Sequence, residues 1–117
     1  MARVLICEPH DDITALLELV VRRLGHEPVL YTGSRADEIG VDAAVIEPGD
    51  EYGMTLAKEL RGQDVPVLFT SIYPANETAL ALSPAAYLVK PFPLYALERA
   101  IESALCAVYE PAATAGV

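Results

Sequence analysis

The chain has only two cysteines and only eight lysines and arginines, and each scarcity argues against a class of protein. Cys7 and Cys106 lie far apart and lack the paired spacing of a zinc site, so they read as two buried thiols of a reducing compartment, not as a disulfide framework. Seventeen acidic residues outnumber the bases and set the net charge at −9. A field of that sign repels phosphate backbones and anionic lipid, which argues against direct nucleic-acid or membrane binding and favours a cationic partner or a divalent metal. No apolar run approaches the ~20 residues of a membrane span. Met1-Ala2-Arg3 leads straight into a strand without the charged and apolar regions of a signal peptide, so a cytoplasmic location is expected. Internal repeats and low-complexity blocks are also missing.

What is present is a globular composition: 117 residues, 53% hydrophobic and 21% charged, enough to bury a core as one domain. The organising stretch is Ala43-Ala44-Val45-Ile46, which ends abruptly in Glu47 and the turn Pro48-Gly49-Asp50. A short apolar run bounded by Pro and Gly reads as a buried parallel strand, and its first polar residue falls on the carboxyl edge of the sheet, where ligands of α/β folds gather.

Other segments follow the same grammar. Residues 3–7 form an apolar first strand, broken by Glu8-Pro9-His10-Asp11-Asp12. Ile13, Leu16, Leu17, Val20, Val21 and Leu24 then recur at helical spacing up to Gly25, and Asp11 or Asp12 is expected to cap the first turn. Residues 29–31 make a second strand, and residues 32–40 leave room for a helical turn or two. A helix over residues 53–61 places Leu56 and Leu60 on one face. A fourth strand spans residues 65–70, with Pro66 near its start, where a missing N–H does least harm, and Ser71 closing it. Residues 72–82 hold at most a short helix near Asn76. Ala86–Val89 is the fifth strand, Lys90-Pro91-Phe92-Pro93 its exit, and Leu94, Leu97, Ile101, Leu105 and Val108 mark the inner face of a closing helix. The domain is expected over residues 1–109, with residues 110–117 a flexible tail or the start of a linker. Strands alternating with helices imply a doubly wound parallel sheet.

Strands one, three, four and five each end at a polar residue: Glu8, Glu47, Ser71 and Lys90. Taken singly, these are a surface charge, a turn opener, a turn hydroxyl and a solvated cation. Together they fit one edge of one sheet.

At these residues the chain resembles the receiver domains of bacterial two-component response regulators over nearly its whole length. The resemblance rests on Glu8, on Val45-Ile46-Glu47 running into Gly53-Met54, on Pro66-Val67-Leu68-Phe69-Thr70-Ser71, and above all on Tyr87-Leu88-Val89-Lys90-Pro91-Phe92. It implies a flavodoxin-like (βα)5 fold with strand order 2-1-3-4-5. It also implies a phosphorelay site with Mg²⁺ held by acids, a phosphoacceptor carboxylate at Glu47, Ser71 and Lys90 around the phosphate, and Tyr87 as the switch aromatic. The implied partners are a sensor histidine kinase or a downstream signalling protein. A homodimer through the family's helix 4, strand 5 and helix 5 face is also implied, with Tyr87, Lys90, Pro91, Leu94 and Tyr95 on the interface and Leu80, Leu82 and Tyr109 nearby. Such a domain is not itself an enzyme.

Two positions depart from the family pattern. Glu47 stands where the phosphoacceptor Asp belongs, and Pro9 stands where a second metal-binding acid belongs. The segments after strand two and around helix four are shortened, and the loop after Glu47 is shorter by about two residues than the family norm. Glu keeps the nucleophilic group but displaces it by more than ~1 Å, an error that costs about 10²-fold in positioned chemistry. With Pro9 in place, Mg²⁺ is left with Glu8, Glu47 and a backbone carbonyl near Gly49, so either no cofactor or a weakly bound Mg²⁺ is expected. Glu47 is expected to reach Lys90 and hold a permanent ion pair, giving an atypical receiver-like domain that acts through protein contacts. The alternatives are a conventional Mg²⁺-dependent phosphoacceptor and a cofactor-binding flavodoxin-like domain. For the latter, Glu8-Pro9-His10-Asp11-Asp12-Ile13 echoes a D-x-H-x-x-G cobalamin motif without its Gly, and no flavin phosphate cradle follows strand one.

Overall fold

The computed structural model describes the backbone of residues 1–109 and side chains as far as Cys106. The expected tail at residues 110–117, and the side chains of Val108 and Tyr109, lie outside the described residues. Five parallel strands form one sheet: β1 (Arg3–Cys7), β2 (Glu27–Leu30), β3 (Ala43–Ile46), β4 (Val67–Ser71) and β5 (Ala86–Val89), in the order β2-β1-β3-β4-β5. The helices are α1 (Asp11–Arg23), α2 (Gly53–Gly62), α3 (Glu77–Leu80) and α4 (Leu94–Tyr109), and a single 3-10 turn, Ala36–Glu38, replaces a helix between β2 and β3. This is the flavodoxin-like order expected from the sequence.

The inner strands are continuous apolar runs because both of their faces are covered. Val4, Ile6, Val45 and Leu68 pack under Leu17, Val20 and Val21 of α1 and Leu97 and Ile101 of α4. Leu5, Ala44, Ile46, Val67 and Phe69 face the opposite layer, Leu56, Ala57 and Leu60 of α2 with Ala36 and Ala79. The edge strands β2 and β5 are only partly buried, and Pro28 sits on β2, where no further strand needs its missing N–H.

Several boundaries differ from the sequence reading. Strand β2 begins at Glu27, two residues early, because the parallel register pairs Arg3 with Glu27. Tyr31 falls outside the strand, yet its N–H still donates to the Ile6 carbonyl at 2.9 Å. Pro66 precedes β4, and Ser71 is its last residue, not the one beyond it. Neither Asp11 nor Asp12 caps α1. His10 is the N-cap and makes no side-chain cap, so the two acids sit inside the first turn, where their charge suits the helix dipole. Gly25 does stop α1, in the left-handed region at φ 86°, with the His26 N–H closing back onto Val21 at 3.1 Å. Leu16 and Leu94, expected on inner faces, are 36% and 37% exposed. Cys7 is buried as expected, but Cys106 is exposed on α4.

One glycine couples the fold to the sheet edge. A Cβ on Gly53 would meet the carbonyl oxygen of Glu47 at 2.3 Å, so only glycine lets α2 start this close behind β3. Its own N–H donates to Asp50, whose N–H donates to that same Glu47 carbonyl, both at 3.0 Å. Gly53→Ala should therefore destabilise the domain by about 1–3 kcal/mol, as overpacked sites do, read as a lowered urea midpoint at unchanged m-value.

Candidate functional site

Parallel pairing sets where each strand ends. Cys7 lies level with Ile46, and Ile46 with Phe69, so Glu8 and Glu47 leave adjacent strands side by side. The Glu47 N–H donates to the Cys7 carbonyl at 2.9 Å, which extends the ladder into the site. On the other side, the Lys90 N–H donates to the Ser71 carbonyl at 2.7 Å and fixes the exit of β5, followed by a cis Lys90-Pro91 peptide. From there the Lys90 side chain reaches back across β4. Its Nζ donates to Glu8 Oε1 at 2.7 Å and to Glu47 Oε2 at 3.0 Å.

The remaining carboxylate oxygens are also engaged. Glu8 Oε2 accepts from the His10 backbone N–H at 3.1 Å and meets the His10 ring Nδ1 at 3.0 Å. Glu47 Oε1 accepts from the Gly49 N–H at 3.0 Å. The Glu8 side chain is fully buried, and those of Glu47 and Lys90 are 11% and 14% exposed. Burial by itself would raise the Glu8 pKa, but the Lys90 and His10 hydrogen bonds outweigh it and hold the carboxyl below its ordinary value. Burial likewise opposes charge on Lys90, and the two glutamates overcome it, so its pKa lies above the usual lysine value.

Ser71, expected around the phosphate, and Tyr87, expected as the switch aromatic, form a second group. The Ser71 hydroxyl is buried and accepts from the Tyr73 N–H at 3.1 Å, and the Tyr87 hydroxyl donates to the Tyr73 carbonyl at 2.9 Å. The Tyr87 ring lies 5.9 Å from that of Phe69. Ser71, Tyr73 and Tyr87 line a cavity of about 290 Å³ with Pro48, Gly49 and Met54, beside the ion-paired group, with no hydrogen bond between the two groups' side chains among the described residues. Of the expected interface residues, Tyr95 is 64% and Leu94 37% exposed, and Pro91 is also exposed.

Sequence reasoning missed His10 and Tyr73 as partners. His10 was readable in principle, because a carboxylate followed two residues later by a free N–H is a local turn pattern. Tyr73 was not, since its contribution is backbone. Thr70 was missed too: it is fully buried, one residue before Ser71, with no partner for its hydroxyl among the described residues. Cys7 borders the site, but burial, reinforced by Asp50, pushes its thiol up to about 12, so it stays protonated and unreactive at neutral pH.

The metal expected of such a site does not fit these residues. Mg²⁺ needs several oxygens at ~2.0–2.1 Å in octahedral array. Here the Pro9 side chain offers none, and each carboxylate oxygen of Glu8 and Glu47 already has a protein partner. Among the described residues, no three His, Cys, Asp or Glu side chains converge as a metal cluster.

No protein-family model and no curated protein matches the chain. Solved structures do. The signal receiver domain of a modulated diguanylate cyclase from Desulfovibrio desulfuricans superposes with TM-score 0.76 at 26% identity, over 90% of this chain and 94% of that one. The fold is that of response-regulator receiver domains. The receiver-fold chemotaxis protein CheY4 of Vibrio cholerae matches at TM-score 0.76 and 21% identity, covering 90% of this chain and 99% of that one. A response regulator receiver protein from Burkholderia phymatum gives 0.75 and 24%, covering 90% and 95%.

Within this receiver fold, the ion-paired group carries two buried carboxylates on one ammonium. Removing the cation leaves like charges facing each other, so Lys90→Met should cost about 3–5 kcal/mol at neutral pH. Glu8→Gln leaves a one-to-one pair and should cost less. Glu8 binds its proton more weakly folded than unfolded, so its contribution is present above the unfolded value of about 4.3 and is lost as pH falls through the folded one. Lys90 has the opposite sign: its contribution is present below about 10.4 and is lost as pH rises past the folded value. Urea midpoints measured across pH should show both limbs, and Glu8→Gln should flatten the acid limb.

Proposed function

We propose that the chain is a receiver-like domain of two-component signal transduction in which Glu47 takes the phosphoacceptor position without accepting phosphate. The observation that carries this reading is the double engagement of the Glu47 carboxylate, with Oε2 on Lys90 and Oε1 on the Gly49 N–H, both at 3.0 Å. An in-line attack needs a free oxygen aligned with the phosphorus, and misplacement by ~1 Å costs about 10²-fold. The side chain is longer than aspartate and is spent on the pair.

Function then passes through protein contacts, not through catalysis by this domain. Leu80, Val89 and Tyr95 are 55%, 45% and 64% exposed on α3, β5 and α4, the counterpart here of the family's helix 4, strand 5 and helix 5 face. Such a grouping of apolar side chains suits a homodimer, or docking of a sensor histidine kinase or a downstream signalling protein. The charge of −9 favours a partner with a basic surface over nucleic acid or anionic membrane, in keeping with a cytoplasmic role. Among the described residues, no helix is long and apolar enough to cross a membrane.

Incubation with acetyl phosphate and MgCl₂, followed by intact mass, should return the unmodified chain. A hydroxylamine-labile phosphoryl group on Glu47 would show that the domain is a working phosphoacceptor and overturn the reading.

A further inference from the structure

We propose that the Lys90 ammonium is the resident cation of this site: it occupies the point where the Glu8 and Glu47 carboxylates converge and replaces a divalent metal permanently. The inference deepens the proposed function and rests on it for the signalling meaning of the site, but its chemistry can be tested separately.

Four observations carry it. The ammonium bridges the two carboxylate oxygens that face each other, at 2.7 and 3.0 Å, so a divalent ion between the same oxygens would have to displace it. The outward oxygens are engaged by His10 and Gly49, so a metal binding from behind would have to compete with those contacts. Pro9, on the loop between Glu8 and His10, supplies no side-chain oxygen at all. Finally, Lys90 is tethered: its backbone N–H is bonded to Ser71 at 2.7 Å and its side chain is mostly buried.

The tether decides the competition. A cation fixed to the chain within reach of its anions acts at an effective concentration in the millimolar range or above, whereas a free ion must pay for its own localisation. Magnesium must also shed tightly held water to enter. A metal placed beside a retained ammonium would meet like charge at close range. Half of the carboxylate charge is thus compensated from within, by a cation the chain itself carries, and the geometry of the pair is independent of divalent concentration.

Removal of the ammonium should reverse this. Without it, Glu8 Oε1 and Glu47 Oε2 become a two-carboxylate site open to solvent water, the usual minimum for a hydrated divalent ion. Mn²⁺ electron paramagnetic resonance titration and thermal melts followed by circular dichroism test both halves, with NaCl matched for ionic strength. The wild type should leave the free Mn²⁺ signal undiminished and show the same Tm in MnCl₂, MgCl₂ and NaCl. Lys90→Met, which keeps most of the apolar stem, should bind one Mn²⁺ saturably and gain Tm from it. Lys90→Met with Glu47→Gln should bind more weakly by about tenfold or more, since ligand charge sets affinity. Saturable Mn²⁺ binding by the wild type would overturn the proposal, and so would a folded Lys90→Met that ignores the ion. If Lys90→Met is unfolded in NaCl, recovery of its spectrum in MnCl₂ supports the proposal, and failure to recover counts against it. Phosphorylation of Glu47 is read by mass in the separate experiment above, so failure of the functional reading and failure of this one are distinguishable.

Discussion

One ammonium shared by two carboxylates is the contact on which the site depends. Glu8, Glu47 and Lys90 come from three different strand ends, and their side chains are at most 14% exposed. Withdrawing charges from water to this extent is costly, and the arrangement holds because every oxygen is matched by an N–H. The group still carries one uncompensated negative charge. The exposed ring of His10, at 3.0 Å from Glu8, sits at the solvent side of that excess.

The scaffold places the group with little freedom. Ladder hydrogen bonds continue past the last strand residues, from Glu47 to Cys7 and from Lys90 to Ser71, so the backbones at the edge are fixed before any side chain is considered. Behind them, Gly53 lets α2 begin against the Glu47 carbonyl. A shift in this region would propagate to Glu47 through the same carbonyl, which also receives the Asp50 N–H. The site's geometry is thus a property of strand register and helix entry more than of loop conformation.

Separation of the Ser71, Tyr73 and Tyr87 group from the ion-paired group matters for how a receiver fold can be read. The Ser71 hydroxyl accepts from the Tyr73 N–H, and the Tyr87 hydroxyl donates to the Tyr73 carbonyl. Both groups hold their polar atoms in local hydrogen bonds, while the buried Thr70 hydroxyl beside Ser71 has no partner among the described residues. On α3, β5 and α4, the apolar side chains of Leu80, Val89 and Tyr95 are exposed.

Much of this was legible in the residues. Apolar runs in the central strands, the helical periodicity of α1 and α4 and the Gly25 stop follow from local physics, and the strand-end positions of Glu8, Glu47, Ser71 and Lys90 follow from them. Where local rules misled, tertiary register had the deciding influence: it drew β2 back to Glu27, denied Asp11 and Asp12 their caps, and left Cys106 facing water on a helix whose apolar pattern suggested burial. The order of elements, the charged residues that end the strands and the pairing of Glu47 with Lys90 were all expected from the residues, the first two because periodicity and turn chemistry are short-range. Folding in three dimensions added that Lys90 also takes Glu8, 82 positions away along the chain, and that Ser71 does not join them. Such pairings depend on strand neighbours and side-chain direction, which no local pattern encodes.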